Sequence, residues 1–117
     1  MTAAYGAVAA PVNLAAEDSP VYVNPPAIDQ VPSALLSWDL VQTGVQITVQ
    51  RAADVAGVAG AYGSIFTTAT DATGYRDQDP SLTVGDWWYR VLATDVLTGV
   101  SSAATPGVQV TLTAITR

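Results

Sequence analysis

Strict two-residue alternation over Gly85-Asp86-Trp87-Trp88-Tyr89-Arg90-Val91-Leu92-Ala93 constrains this chain more than any other feature. Successive side chains of a strand point to opposite faces. Trp87, Tyr89, Val91 and Ala93 therefore share one side, and Trp88, Arg90 and Leu92 the other. A face graded from aromatic to small aliphatic suits the interior between two stacked sheets.

The same period recurs elsewhere. In Ser33 to Leu40, Ala34, Leu36, Trp38 and Leu40 fall on one face, with Ser33, Ser37 and Asp39 opposite. From Gly44 to Arg51, Val45, Ile47 and Val49 point inward while Gln46, Thr48 and Gln50 point outward. Only Val41-Gln42-Thr43 separates these strands, so they pair directly or bridge the two sheets through a tight connection. Ala52 to Ala61, with Gly57 and Gly60, reads as a flexible loop. Tyr62 to Thr70 reads as a short strand carrying Ile65 and Phe66. Asp71 to Ser81, polar and holding Gly74 and Pro80, reads as a turn between sheets. A last strand carries Val108, Val110, Leu112 and Ile115 against Gln109, Thr111 and Thr113. Six or seven short strands with regular turns predict an all-β, antiparallel two-sheet β-sandwich. The expected division is an extended arm over residues 1–10 and the sandwich over residues 11–117.

The 117 residues suffice for one buried core. Charged residues make up 12% of the chain, about half the usual share for soluble domains. The exterior is consequently built from Thr, Ser, Gln and Ala, with little charge repulsion to keep neighbours away. Net charge is −6, and the cations are four scattered arginines, Arg51, Arg76, Arg90 and Arg117. Nucleic acid binding needs clustered cations to displace counterions, so that class is excluded. No cysteine is present, which removes disulfides, thiol chemistry and thiolate metal sites. Met1 to Ala16 lacks the basic start of a secretory signal, and Gly6, Pro11 and Asn13 interrupt its Ala-rich run. Neither Sec export nor a membrane span is expected.

Taken in order, these segments resemble a fibronectin type III domain of the Ig-like class. Pro11-Val12-Asn13-Leu14 is similar to the family's opening strand. Leu36-Ser37-Trp38 is similar to its second strand, with the buried tryptophan, and Ile47-Thr48-Val49-Gln50-Arg51 to its third. Tyr75-Arg76-Asp77 and Leu82-Thr83-Val84-Gly85 resemble the approach to the sixth strand, Tyr89-Arg90-Val91-Leu92-Ala93 that strand, and Gly99 to Ala104 the start of the last. Two departures stand out. The family's conserved-corner tyrosine, whose hydroxyl bonds back to the backbone, is Trp87 here, so that bond passes to an indole N–H or is lost. Ser19 to Pro32 also lengthens the first connection and carries Pro20, Pro25, Pro26 and Pro32. It is either a plain surface loop or a stiffened contact loop.

Little here supports chemistry. Asp77 and Asp79 lie two apart and with Asp71 offer oxygens to a hard cation such as Ca²⁺, or as a carboxylate pair to glycoside hydrolysis. Paired acids on a turn are more simply solvated. Ser or Thr nucleophiles need a base, and the chain has neither His nor Lys. The glycines at 57, 60 and 63 do not join a strand to a helix, so they form no phosphate cradle. The chain is read as a non-enzyme with no catalytic residue, metal or cofactor.

Surface remains. Trp88, Arg90 and Leu92 form an outward strip with the composition of an interface core, unless loops or the Gln/Thr face of the neighbouring strand cover it. The uncharged arm, with Tyr5 and Val8, and the last strand, reaching Ile115, are further contact candidates. Small free-standing fibronectin-like modules resemble structural proteins of tailed bacteriophages. That resemblance implies a virion subunit made in the host cytoplasm, a capsid decoration or a neck or tail component. Its partners would be major capsid or tail proteins and further copies of itself, with no nucleic acid or membrane. The alternative is a carbohydrate- or cell-surface-binding module using Trp88 or the Pro-rich segment.

Overall fold

In the computed structural model, which describes residues 7–22 and 30–113, every regular element is a strand. They are β1 (Val12–Asp18), β2 (Val21–Tyr22), β3 (Gln30–Val31), β4 (Ala34–Asp39), β5 (Val45–Val55), β6 (Val58–Ala59), β7 (Gly63–Thr67), β8 (Gly74–Asp77), β9 (Gly85–Asp95) and β10 (Val108–Leu112). One sheet has the order β1-β4-β8. The second has the order β10-β9-β5-β6, with β7 on the same side of β5 as β6. All pairings are antiparallel. The two sheets close as a sandwich, and the 41–44 connection carries the chain from one to the other.

The alternating positions become the core. Ala34, Leu36 and Trp38 point in from the first sheet; Val45, Ile47, Val49, Tyr89, Val91, Ala93, Val110 and Leu112 point in from the second. Trp38 is 2% exposed, and its indole N–H donates to the Ala72 carbonyl at 2.8 Å. A large ring is thereby buried without an orphaned donor. Leu40 and Val108 pack at the margin, as does Trp87, which remains half-buried.

Hydroxyl side chains complete the ladders where strands diverge. Thr105 Oγ1 accepts the Val91 N–H at 3.0 Å, Ser102 Oγ the Ala93 N–H at 2.9 Å, and Thr68 Oγ1 the Ile47 N–H at 3.1 Å. Buried amides without a strand partner are costly, and a nearby hydroxyl supplies the missing acceptor.

Two sequence expectations need correction, and a third holds with narrower bounds. Ala52 to Ala61 is not a loop: β5 runs on to Val55, turns at Ala56-Gly57 and returns as β6. The two turn residues have φ of 54° and 89°, the consecutive positive values of a two-residue hairpin turn that matches strand twist. Alanine in the first position hid that signal. Asp71 to Ser81 is not merely a turn, because it contains β8, whose Ala34↔Asp77 and Leu36↔Tyr75 register aims Tyr75 and Asp77 inward. The strand expected over Tyr62 to Thr70 is Gly63–Thr67, with a register shift opposite Val49 and Gln50. That bulge leaves Ile65 against the core and Phe66 stacked on Tyr75, with centroids 4.5 Å apart.

The Ser19 to Pro32 segment forms a two-stranded ribbon, β2 with β3, over its described residues. Arg76 Nη1 fastens its base, donating to the Ser19 carbonyl at 2.9 Å and to Ser33 Oγ at 3.0 Å.

Candidate functional site

An ionic cluster joins the two sheets. Alternation along β5 puts Arg51 on the inward side beside Tyr89, its cross-strand neighbour on β9. Asp77 faces them from β8. Arg51 Nη1 donates to Asp77 Oδ2 at 2.8 Å, and the Tyr89 hydroxyl donates to the same oxygen at 2.6 Å. Asp77 Oδ1 accepts the Asp79 N–H at 3.3 Å, and Arg51 Nη2 reaches Ser81 Oγ at 3.3 Å. The Trp87 ring lies 5.3 Å from the guanidinium carbon, a cation–π distance.

Asp77 is 1% exposed, so it belongs to the interior rather than to a solvated acid pair. Burial, and then the bond to Asp77, push the Tyr89 phenol far above its ordinary range. Burial works against the Arg51 charge, but the hydrogen bond and attraction to Asp77 outweigh it and raise the guanidinium further. Asp79 stays outside, held below the usual carboxylate range by hydrogen bonds from Ser81. Among the described residues, no three Asp, Glu, His or Cys side chains converge on a common point for a metal ion. Among the described residues no helix is long and apolar enough to cross a membrane.

Sequence reasoning missed this cluster although it held the signal. An arginine at an inward strand position demands a carboxylate, since an unpaired buried charge is very costly. Tyr75 and Asp77 carry the matching two-residue spacing.

The Trp87 indole N–H donates to the Thr83 carbonyl at 2.9 Å. A tryptophan thus makes the backward backbone bond that a tyrosine hydroxyl makes in related sandwiches.

Trp88, Arg90 and Leu92 occupy the outer face of the second sheet, and all three are half-buried. The Trp88 indole N–H donates to Asp54 Oδ1 at 2.9 Å, and Gln109 Nε2 donates to the same oxygen at 3.1 Å. The bond from Trp88 is the first cause holding the Asp54 carboxyl below its usual range. Arg90 Nε donates to Gln50 Oε1 at 2.7 Å, and its guanidinium lies 4.1 Å from the Tyr62 ring centroid. Tyr62 crosses so close to Gly107 that any β-carbon there would collide with its hydroxyl. Leu92 sits opposite Thr48. Tyr62, Gln50 and Asp54 therefore engage this strip within the molecule.

Val8 packs against the core, and the neighbouring Ala9 N–H donates to Gln42 Oε1 at 2.8 Å. Tyr5 and Ile115 lie outside the described residues. A groove of about 330 Å³ runs between Pro11–Leu14 and Thr105–Val108, and a second of the same size lies between Val31-Pro32 and Gln78–Leu82.

The most exposed apolar side chains are elsewhere. Leu97 is 92% exposed, and Val41 and Val96 are 56% and 45% exposed on the turns that close the end of the sandwich nearest Trp38. At the opposite end, Val55, Val58 and Val84 are also exposed.

No protein-family model matches the sequence, and no curated protein matches it. Among solved structures, a fibronectin type III-like (Fn3-like) protein from Clostridium thermocellum superposes with a TM-score of 0.63 at 21% identity, over 94% of this chain and 98% of that one. At that identity the likeness is one of architecture alone. The chain has a fibronectin type III-like β-sandwich fold.

Proposed function

We propose that this chain is a non-enzymatic structural and interaction protein, and specifically a virion subunit of a tailed bacteriophage. The observation that carries the interaction role is where its side chains are spent. Asp77, Arg51, Asp54, Arg90 and Asp71 bond within the fold, whereas nine large hydrophobics among the described residues are exposed. Such a surface favours contact over catalysis. The virion assignment rests on the resemblance of the fibronectin-like strand pattern to structural proteins of tailed phages, and fold by itself does not fix it. On this reading the protein is made in the host cytoplasm and binds capsid or tail proteins. Electron microscopy of the source particle tests it. Copies at fixed lattice positions support the assignment; a particle without the chain refutes it.

A carbohydrate-binding reading has one observation in its favour. Tyr62 and Trp88 lie on one sheet face among Gln50, Arg90, Asp54 and Gln109, a mixture of rings and planar polar groups suited to sugars. Glycan-array binding abolished by Trp88→Ala would favour it over the virion role.

A further inference from the structure

The end of the sandwich formed by residues 41–44 and 96–99 combines a hydrogen-bonded apolar tip with a border whose charged groups, among the described residues, are all acidic. Asp95 Oδ1 accepts the N–H groups of Leu97 at 2.8 Å and Thr98 at 3.1 Å, and the Asp95 carbonyl accepts the Gly99 N–H at 2.8 Å. The Val96 N–H donates to the Gly44 carbonyl at 3.0 Å, locking this turn to its neighbour. Asp71 Oδ1 fixes that neighbour, accepting the N–H groups of Gly44 at 2.8 Å and Val45 at 3.2 Å. Leu97 is therefore not on a loose loop. It is held out in water at 92% exposure by a closed set of hydrogen bonds, beside Val96, and Val41 is exposed on the turn to which Val96 bonds.

A large aliphatic group in that state loses hydration cost only when something covers it. Because the turn is already ordered, covering it requires little further loss of freedom.

Charge selects the occupant. Asp39, Asp71 and Asp95 stand at this end, each with one oxygen that accepts no hydrogen bond among the described residues. The three described arginines are occupied elsewhere, Arg51 at Asp77, Arg76 at the β2–β3 base and Arg90 at Gln50. Two such ends facing each other would oppose like charges, and among the described residues the arginines lie apart, so a second copy offers no cluster of cations to pair with it.

We propose that this end docks into an apolar pocket bordered by Lys or Arg on a different protein, with Leu97 as the anchor. The proposal rests on the interaction role stated above and names its surface and the chemistry of its partner.

Photo-crosslinking in the cells that make the protein tests it, with p-benzoylphenylalanine placed in the full chain at Thr43 on this end, at Gln109 on the sheet face, or at Val58 on the opposite end. The expected result is an adduct from Thr43 with another protein, whose cross-linked peptide, mapped by mass spectrometry, carries aliphatic residues beside Lys or Arg. Adding Leu97→Ala should lower its yield about tenfold. Combined Asp39→Asn, Asp71→Asn and Asp95→Asn, which keep the turn acceptors but remove the charge, should lower it as well. Val55→Ala, 57% exposed at the far end, should not. The proposal is overturned by an adduct with a second copy, by a mapped peptide without cations, or by a yield indifferent to Leu97→Ala. Adducts from Gln109 or Val58 alone would move the surface and leave the interaction role standing. Adducts from none of the three would sink both.

Discussion

The Tyr89 hydroxyl meets the Asp77 carboxylate at 2.6 Å across the gap between the two sheets. Asp77 comes from a four-residue edge strand, Tyr89 from an 11-residue central one, and Arg51 completes the contact on the same oxygen. Apolar packing alone lets two sheets slide; a buried charge with directed partners fixes one relative position. Losing one partner is expected to cost far more than the cluster adds over an apolar core.

Asp77→Ala should therefore destabilise the fold by about 3–5 kcal/mol, because it strands the Arg51 charge and leaves the Tyr89 hydroxyl without an acceptor. Tyr89→Phe should cost about 1.5–3 kcal/mol, the range for a hydrogen bond to a charged group. Urea unfolding of both variants checks the order, and an Asp77→Ala loss smaller than that of Tyr89→Phe would contradict it.

The same contact sets an alkaline limit. Burial and Asp77 raise the Tyr89 phenol far above its ordinary value, so the folded state keeps a proton that the unfolded chain releases near pH 10. The native state then binds more protons, and stability falls as pH rises. The Tyr89 contribution is whole below about pH 10 and declines above it, by up to about 1.4 kcal/mol per pH unit. Thermal unfolding between pH 8 and 11.5 should show the decline, and Tyr89→Phe should make it shallower.

The core was legible in the sequence and the polar joints were not. Alternation placed Leu36, Trp38, Ile47, Val49, Tyr89 and Val91 correctly because each lies on a strand long enough to show its period. β8 has four residues and two inward side chains, one of them an acid, so its period is too short to stand out from a polar turn. The β5–β6 hairpin escaped because Ala56 takes a conformation normally left to Gly, Asn or Asp. At the surface, alternation told which face Trp88, Arg90 and Leu92 occupy. It could not show that Asp54, Gln50 and Tyr62, distant in sequence, would come to rest against Trp88 and Arg90. Leu97 sat between turn residues without any periodic pattern, and only the fold reveals its exposure.

Trp38→Ala should cost about 3–5 kcal/mol, combining lost burial with a cavity that the sheets cannot close. Its ring is 2% exposed, and its N–H engages Ala72. Trp38→Phe keeps most of the volume and should cost clearly less. Equal losses for the two variants would mean that the hydrogen bond, not packing, holds the site.

Gly107 and Tyr62 should behave as one unit. A β-carbon at 107 collides with the tyrosine hydroxyl, and the easiest escape is for the ring to leave Arg90. Gly107→Ala should thus destabilise the native chain by about 1 kcal/mol and have little effect in a Tyr62→Ala background, a non-additivity expected of residues in contact. A double-mutant cycle from urea midpoints reads it, and strictly additive losses would place the strain in the 107 backbone.

Ala56 offers the opposite sign. Its φ of 54° precedes the 89° of Gly57 in a two-residue turn between β5 and β6, and the left-handed region crowds an alanine β-carbon against its own carbonyl. Asparagine tolerates that region and is strongly preferred at the first position of such turns when glycine follows. Ala56→Asn should raise stability by about 0.5–1 kcal/mol, within the usual reach of a single turn optimisation. Gly57→Ala, which places a β-carbon at the more demanding position, should lower it by about 1 kcal/mol or more. Thermal midpoints shifted in opposite directions by the two substitutions would establish the hairpin; shifts of the same sign would mean that this segment does not turn as described.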